Sequence, residues 1–220
     1  TDYDQARAAL YEGDYGYQLI GDVASLGFTV NGIVPDGFRV MTMNKKVESL
    51  ADMHGLKMRM PNLEIMVEIG NYLGFAVTPM SMTEVFSALE QGVIDGQENP
   101  PSTIRSQGWY EIQDYLLVSN HVFTSLFLCV NNDFYNSLDS ELQNILDEVI
   151  DETCAQIWDT AQTQAQEDLD YMSSEGGIEV YEPSDSFRQE MVEATAPMYD
   201  NMYETAPEVE EVINAIQAIQ

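Results

Sequence analysis

The sequence predicts an α/β protein of two lobes that share one long helix, with a hinged cleft between the lobes. Three observations carry this expectation. Between residues 28 and 99, short apolar runs alternate with helical stretches across Gly- or Pro-marked turns, which is the pattern of an α/β chain. Over 140–173 apolar residues recur at helical spacing without a break. A helix of that length spans roughly 45–50 Å, more than the breadth of a small α/β lobe. A chain of 220 residues with 45% hydrophobic content can also bury a core in each of two small domains.

The elements follow in order. Residues 4–26 read as a helix broken near Gly13 and Gly16, with Ala6, Leu10, Tyr17, Ile20 and Ala24 on its apolar side. A strand over 28–34 closes at Pro35-Asp36-Gly37, which has turn composition. Strands over 38–43 and 56–60 flank a short capped turn that starts at Ser49 and ends at His54-Gly55. Leu63, Met66, Val67, Ile69, Tyr72 and Leu73 form the buried stripe of a helix that Gly74 stops. A strand over 76–79 precedes a helix over 84–91, capped by Ser81 or Thr83, with Val85, Phe86 and Leu89 inward. A very short strand over 93–95 leads into Gly96-Gln97-Glu98-Asn99-Pro100-Pro101. Residues 125–130 are the most continuous apolar strand and fit a central, covered position. After the long helix come a strand over 178–181 and helices over 184–203 and 208–219. The expected lobes are 1–36 plus 125–164, and 37–124 plus 165–220; the first has too few strands of its own.

Charge narrows the functions. There are 38 acids against 8 Lys and Arg, a net charge of −30. Such a field repels nucleic acid and anionic lipid, so neither is expected as a partner. No run approaches the ~20 apolar residues of a membrane span, so direct membrane insertion is not expected. Spread acidity with little lysine fits either a saline environment or an ordinary solubilising surface. Cys129 and Cys154 have no CxxC spacing and are expected as unlinked, buried thiols. The chain opens at TDYDQARAAL without an initiator methionine, which suits a processed or truncated product.

Five of the eight basic residues, Arg39, Lys45, Lys46, Lys57 and Arg59, fall within residues 39–59. An anionic ligand needs a local cluster of positive charge, and this window is the only candidate. Arg59 lies between methionines in the strand-like LKMRMP, and Arg39 sits in DGFRVMTM. A guanidinium among apolar residues pairs with a carboxylate. For Arg59 that carboxylate belongs either to the protein, with Glu64 and Glu84 as candidates, or to a ligand. Asn62, at the foot of a helix, either caps it or faces a ligand. Asn99, stiffened by Pro100 and Pro101, suits a turn or a ligand hydroxyl or carboxylate. Nucleophilic catalysis has no support, because no G-x-S-x-G elbow exists and the two histidines sit in unrelated contexts. His54 reads as a surface residue and His121 as a satisfied residue at the edge of a core. No H-E-x-x-H or cysteine pair suggests a metal, and no GxGxxG or P-loop suggests a nucleotide cofactor.

Three stretches carry a resemblance: GFRVMTMNKKVESLADMHGLKMRMPN, GFAVTPMSMTEVFSALEQGVIDGQENP and WYEIQDYLLVSNHVFTSLFLCVNNDFYNSLDSELQNILDEV. The chain resembles the solute-binding proteins of tripartite ATP-independent periplasmic (TRAP) transporters, the DctP-like group, over essentially all its length. It lacks roughly the first third of a typical member, including the secretion signal and the opening β-α-β units. The resemblance implies an extracytoplasmic, periplasmic-binding-protein-like fold that closes on a small carboxylated solute and delivers it to the permease subunits of a sodium-coupled transporter. It implies that Arg59 forms a bidentate salt bridge with the ligand carboxylate, that Arg39 assists, and that Asn62 and Asn99 contact the ligand in sugar-acid binders. Met82 matches a position where an aromatic residue often packs on the ligand, and a methionine there gives apolar contact without a flat stacking face. A sugar acid is thus favoured over a keto acid or dicarboxylate. A sensory or scaffold role for the same fold is the alternative. An enzyme acting on a carboxylated substrate would need a base or nucleophile facing Arg59, and the sequence offers none.

Overall fold

The structure, a computed structural model, describes residues 2–13, 15–20 and 23–219. Where the sequence predicts one broken helix over 4–26, two short ones form, α1 (Tyr3–Leu10) and α2 (Tyr15–Ile20), followed by a 3-10 turn at Ala24–Leu26. Asp2 caps α1 by accepting from the Gln5 amide at 2.8 Å. Residues 14, 21 and 22, also within that prediction, lie outside the described residues. Strand β1 (Phe28–Phe38) runs straight through Pro35-Asp36-Gly37, which the sequence reads as a turn. The Thr124 hydroxyl holds it extended by donating to Asp36 Oδ2 at 3.0 Å and to Gly37 O at 3.3 Å. Gly37 has φ 118°, a conformation open to glycine at low cost.

Next come β2 (Val40–Met43), α3 (Leu50–Met53), β3 (Lys57–Met60), α4 (Glu64–Tyr72), β4 (Ala76–Pro79) and α5 (Val85–Glu90). Strand β5 is Gly96–Asn99, not the apolar 93–95. Helix α6 (Pro101–Gln107) and strand β6 (Tyr115–Leu117) have no counterpart in the sequence reading. Strand β7 (Phe123–Asn131) and α7 (Asn132–Ser137) lead to α8 (Ser140–Ser174), a single helix of 35 residues. Strand β8 (Glu179–Tyr181) follows, then α9 (Asp185–Thr195), α10 (Pro197–Thr205) and α11 (Pro207–Gln217). The helix predicted over 184–203 is two helices because Pro197 has no N–H to continue the first.

Two compact units form. The first comprises Thr1–Gly37, Phe123–Thr163 and Thr205–Gln220; the second comprises Phe38–Val122 and Gln164–Glu204. This corrects the expected partition, which gave the C-terminal segment to the second lobe. Helix α11 packs on α2, and Gln5 Nε2 donates to Ile219 O at 2.9 Å.

The first unit has a two-stranded sheet, β1 with β7, over a small core of Val34, Ile150 and Cys154. Trp158 joins it, donating from Nε1 to Ile33 O at 2.9 Å and stacking on Phe123. Strand β7 is not covered on both faces as its composition suggested: Leu126 is 55% and Phe127 51% exposed. Cys129 on the same strand is exposed rather than buried, whereas Cys154 is buried; both are unlinked.

The second unit carries a six-stranded sheet in the order β4-β3-β5-β2-β6-β8. One face packs Met41, Met43, Met58, Met60 and Leu117 against α4, α9 and α10 through Met66, Ile69, Phe187, Met191 and Met198. The other packs Val40, Leu116 and Val118 against α5, α6 and the end of α8 through Val85, Leu89, Ile104, Leu169 and Met172. On α5, Val85 and Leu89 point inward as predicted, but Phe86 is exposed and Ala88 takes the third inward position. The sheet is therefore a covered middle layer. Its strands β2 and β5 approach closely at Gly96, where an added Cβ would stand 2.4 Å from Thr42 O and 2.8 Å from Met43 Cγ. Gly96→Ala is expected to destabilise the protein by about 1–3 kcal/mol, read as a lower urea midpoint. An unchanged midpoint would show that the two strands part to admit a methyl group.

Candidate functional site

Strand topology assembles the site. Strand β3 is parallel to both β4 and β5, so three carboxyl ends meet at one edge of the second unit's sheet. Open α/β sheets take ligands at such an edge. Strand β2 runs antiparallel to β5 with Val40 opposite Asn99, which brings Arg39, just before β2, to the same edge. Arg59 is near the end of β3 and Asn99 ends β5; Asn62 and Met82 lie just beyond β3 and β4. The structure thus gathers all five residues singled out by the sequence on one edge. Strand alternation decides where Arg59 faces. Met58 and Met60 enter the methionine-rich core, so Arg59 between them faces the opposite side with its register partners Gln97 and Thr78.

Arg59 is 4% exposed. Its Nε and Nη2 donate to the Met80 carbonyl at 3.2 and 2.9 Å, and among the described residues no carboxylate lies within 4.0 Å of it. Burial pushes its pKa down, an effect that the charge of Glu98 opposes and that of Arg39 adds to. The internal salt bridge with Glu64 or Glu84 is not formed. Glu84 instead closes a capping box with Ser81, accepting from the Ser81 amide at 3.1 Å. A buried guanidinium with only a neutral partner is costly to maintain, and an incoming carboxylate supplies what it lacks.

The protein's own carboxylate pairs with Arg39. Arg39 Nε donates to Glu98 Oε2, and Nη2 donates to Glu98 Oε1 at 2.9 Å, to Glu98 O at 3.0 Å and to Asn99 Oδ1 at 3.1 Å. Glu98 thus holds the guanidinium fork of Arg39, and Nη2 reaches on to Asn99 Oδ1. Glu98 is 0% exposed, and His121 Nε2 stands 3.4 Å from its Oε2. Burial pushes the Glu98 carboxyl up, but His121 and Arg39 together hold it below the usual carboxylate range. The sequence suggested a satisfied residue at the edge of a core for His121; it is half-buried, with Nδ1 2.8 Å from Ser119 Oγ, but its Nε2 makes no hydrogen bond among the described residues.

Asn99, 6% exposed, donates from Nδ2 to Gln97 Oε1 at 2.8 Å, and Gln97 Nε2 donates to Thr42 Oγ1 at 3.0 Å. Asn62 is exposed and does not cap α4, whose N-cap position is Leu63 with no side-chain hydrogen bond. Met82 opens a 3-10 turn and is 45% exposed. The sequence reading missed Glu98, Gln97 and Thr42. The signal for Glu98 and Gln97 was present in GQENP, a run of side chains with hydrogen-bonding capacity in a chain whose strand arginines needed a carboxylate; Thr42 had no such signal. Two open concavities of about 440 and 460 Å³ lie elsewhere, the second lined by Arg105, Tyr110 and Tyr171. Arg105 is already paired with Asp168 at 2.7 Å, so it does not share the need of Arg59.

The family model described as bacterial extracellular solute-binding protein, family 7 (DctP), matches residues 1–206. The C4-dicarboxylate-binding periplasmic protein DctP of Rhodobacter capsulatus is 30% identical over 193 residues, covering 88% of this chain but only 58% of that protein. A TRAP periplasmic solute-binding protein of Haemophilus influenzae, solved with bound L-gulonate, is 31% identical with a TM-score of 0.87 over 100% of this chain and 72% of its own. The sugar acid binding protein DctPAm of Advenella mimigardefordensis, solved with galactonate, is 27% identical with a TM-score of 0.91 over 100% of this chain and 71% of its own. Each of these relatives is named as a binding protein. The family model and the similarity to the solved structures agree: the chain belongs to the bacterial extracellular solute-binding proteins of family 7, the DctP family.

Proposed function

We propose that this chain belongs to an extracytoplasmic TRAP solute-binding protein that captures a small organic acid on Arg59 and passes it to a sodium-coupled membrane permease. The observation that carries the reading is the buried Arg59 guanidinium, held by a backbone carbonyl and, among the described residues, lacking a carboxylate partner. A ligand carboxylate entering there exchanges hydration for charge-assisted hydrogen bonds, worth about 1.5–3 kcal/mol each. Asn99 and Asn62 add uncharged donors and acceptors suited to hydroxyl groups, which favours a sugar acid. The L-gulonate and galactonate bound by the two similar proteins support that class. Location in the periplasm follows from the same reading.

A thermal-shift series separates the ligand classes. L-gulonate, galactonate and D-glucuronate are expected to raise the melting temperature, and succinate and malate to leave it unchanged. Ligand at 100 times its Kd stabilises by about 2.7 kcal/mol, which amounts to several degrees for a protein of this size. Stabilisation by the dicarboxylates alone would transfer the assignment to the class named for the Rhodobacter relative.

A further inference from the structure

Gln97 is 0% exposed and cannot touch a ligand, yet its side chain bridges the core residue Thr42 to Asn99 at the candidate site. The direction of each bond in this chain is dictated from its charged end. Glu98 keeps Arg39 in place, and a guanidinium has donors only. The Asn99 atom that meets Arg39 Nη2 is therefore Oδ1. Nδ2 is then on the other side of the amide, where Gln97 must offer its carbonyl oxygen. That choice turns Gln97 Nε2 toward Thr42, whose hydroxyl accepts. Reversing the Asn99 amide would set donor against donor at Arg39 and acceptor against acceptor at Gln97, and all three residues are buried.

From this geometry we infer that Gln97 is a positioning residue for ligand recognition, which locks the Asn99 amide so that the ligand meets an N–H donor. The inference rests on the proposed reading of the Arg59 edge as the ligand site. Nδ2 carries two hydrogens; one goes to Gln97, and the second has no partner among the described residues. Asn99 lies two residues beyond Gln97 on the same strand, so both belong to the sheet face that Arg59 occupies. A fixed N–H beside a guanidinium selects an acceptor: the second carboxylate oxygen, or the lone pair of a hydroxyl or carbonyl near it. A protonated amine beside this N–H and the guanidinium would set donor against donor. The ligand class is therefore an acid carrying oxygen rather than an ammonium group next to its carboxylate.

A double-mutant cycle on binding tests the inference. Titration calorimetry of the wild-type protein with L-gulonate, galactonate and D-glucuronate identifies the tightest of the three, which then serves as the probe. Gln97→Met is expected to weaken it about tenfold, and Asn99→Ala at least as much. In the Asn99→Ala background, Gln97→Met is expected to have no further effect, because its action runs through Asn99. The melting temperature without ligand reports any structural damage separately. Should Gln97→Met not fold, Thr42→Val removes the far anchor at nearly constant volume; it is expected to cause a smaller loss that also vanishes when Asn99 is alanine. Unchanged affinity in Gln97→Met, or equal losses with and without Asn99, would overturn the positioning role while leaving the binding function intact. Wild-type protein that binds none of the three acids would overturn the functional reading itself, and the inference with it.

Discussion

Arg59→Ala is expected to weaken ligand affinity by at least about tenfold, and by more than any other single change at the edge, because it leaves a desolvated carboxylate without its counter-charge. Calorimetric titration with the acid that gives the largest thermal shift measures the loss. The substitution is expected to cost little stability without ligand. Among the described residues Arg59 has no ion pair to lose, and its hydrogen bonds are the two to the Met80 carbonyl. Arg59→Lys keeps the charge but not the planar fork, so it should recover only part of the affinity. Arg39→Ala should show the reverse pattern, a smaller loss of affinity and a larger loss of stability, since it strands Glu98 in the interior. Equal affinities for wild type and Arg59→Ala would remove the site assignment.

Glu98→Ala is expected to cost about 3–5 kcal/mol of folding stability, because the change leaves Arg39 as a buried charge without its counter-ion. Urea denaturation at neutral pH measures it, and Glu98→Gln should cost less because it retains an acceptor for Arg39. The pH dependence has a definite sign. The folded-state pKa of Glu98 lies below its ordinary value, so the folded protein binds this proton less readily than the unfolded chain. The stabilisation is thus complete above the unfolded carboxyl pKa of about 4.3 and disappears as pH falls through the lower folded value. The gap between wild type and Glu98→Gln should accordingly close on acidification. A gap that stays constant from pH 7 to strongly acidic conditions would show that Glu98 does not act as a carboxylate.

The expected division of labour between the two arginines could be anticipated only in part. Two guanidinium groups in apolar strands, within a chain of −30 charge, marked both positions as needing anions. Which arginine would find its anion inside the protein depended on register. The antiparallel pairing of β2 with β5 sets Val40 opposite Asn99, and this delivers Glu98 to Arg39 across 59 residues of sequence. Glu64 and Glu84 were nearer to Arg59 in sequence, but Glu84 was already committed to capping its own helix.

Local signals located most helices and strands: the 35-residue α8, the stripe of α4 apart from Leu63, which is 58% exposed, and a cap at Ser81, one of the two residues offered for it. These features depend on periodicity and on neighbours three or four residues apart, which the chain itself specifies. Signals failed where distant partners override composition. Pro35-Asp36-Gly37 is strand because Thr124 holds it extended, and Gly96–Asn99 is strand because its polar side chains are satisfied by Arg39 and Thr42. By itself, then, the sequence determined the α/β class, the long helix and the pair of strand arginines whose charge calls for an anion. Only the tertiary structure decided that Arg39 is closed by Glu98, that Arg59 is left open, and that the C-terminal segment joins the first unit. Each of these depends on contacts between residues far apart in the chain, and a buried charge is matched by what folding brings beside it rather than by what precedes or follows it.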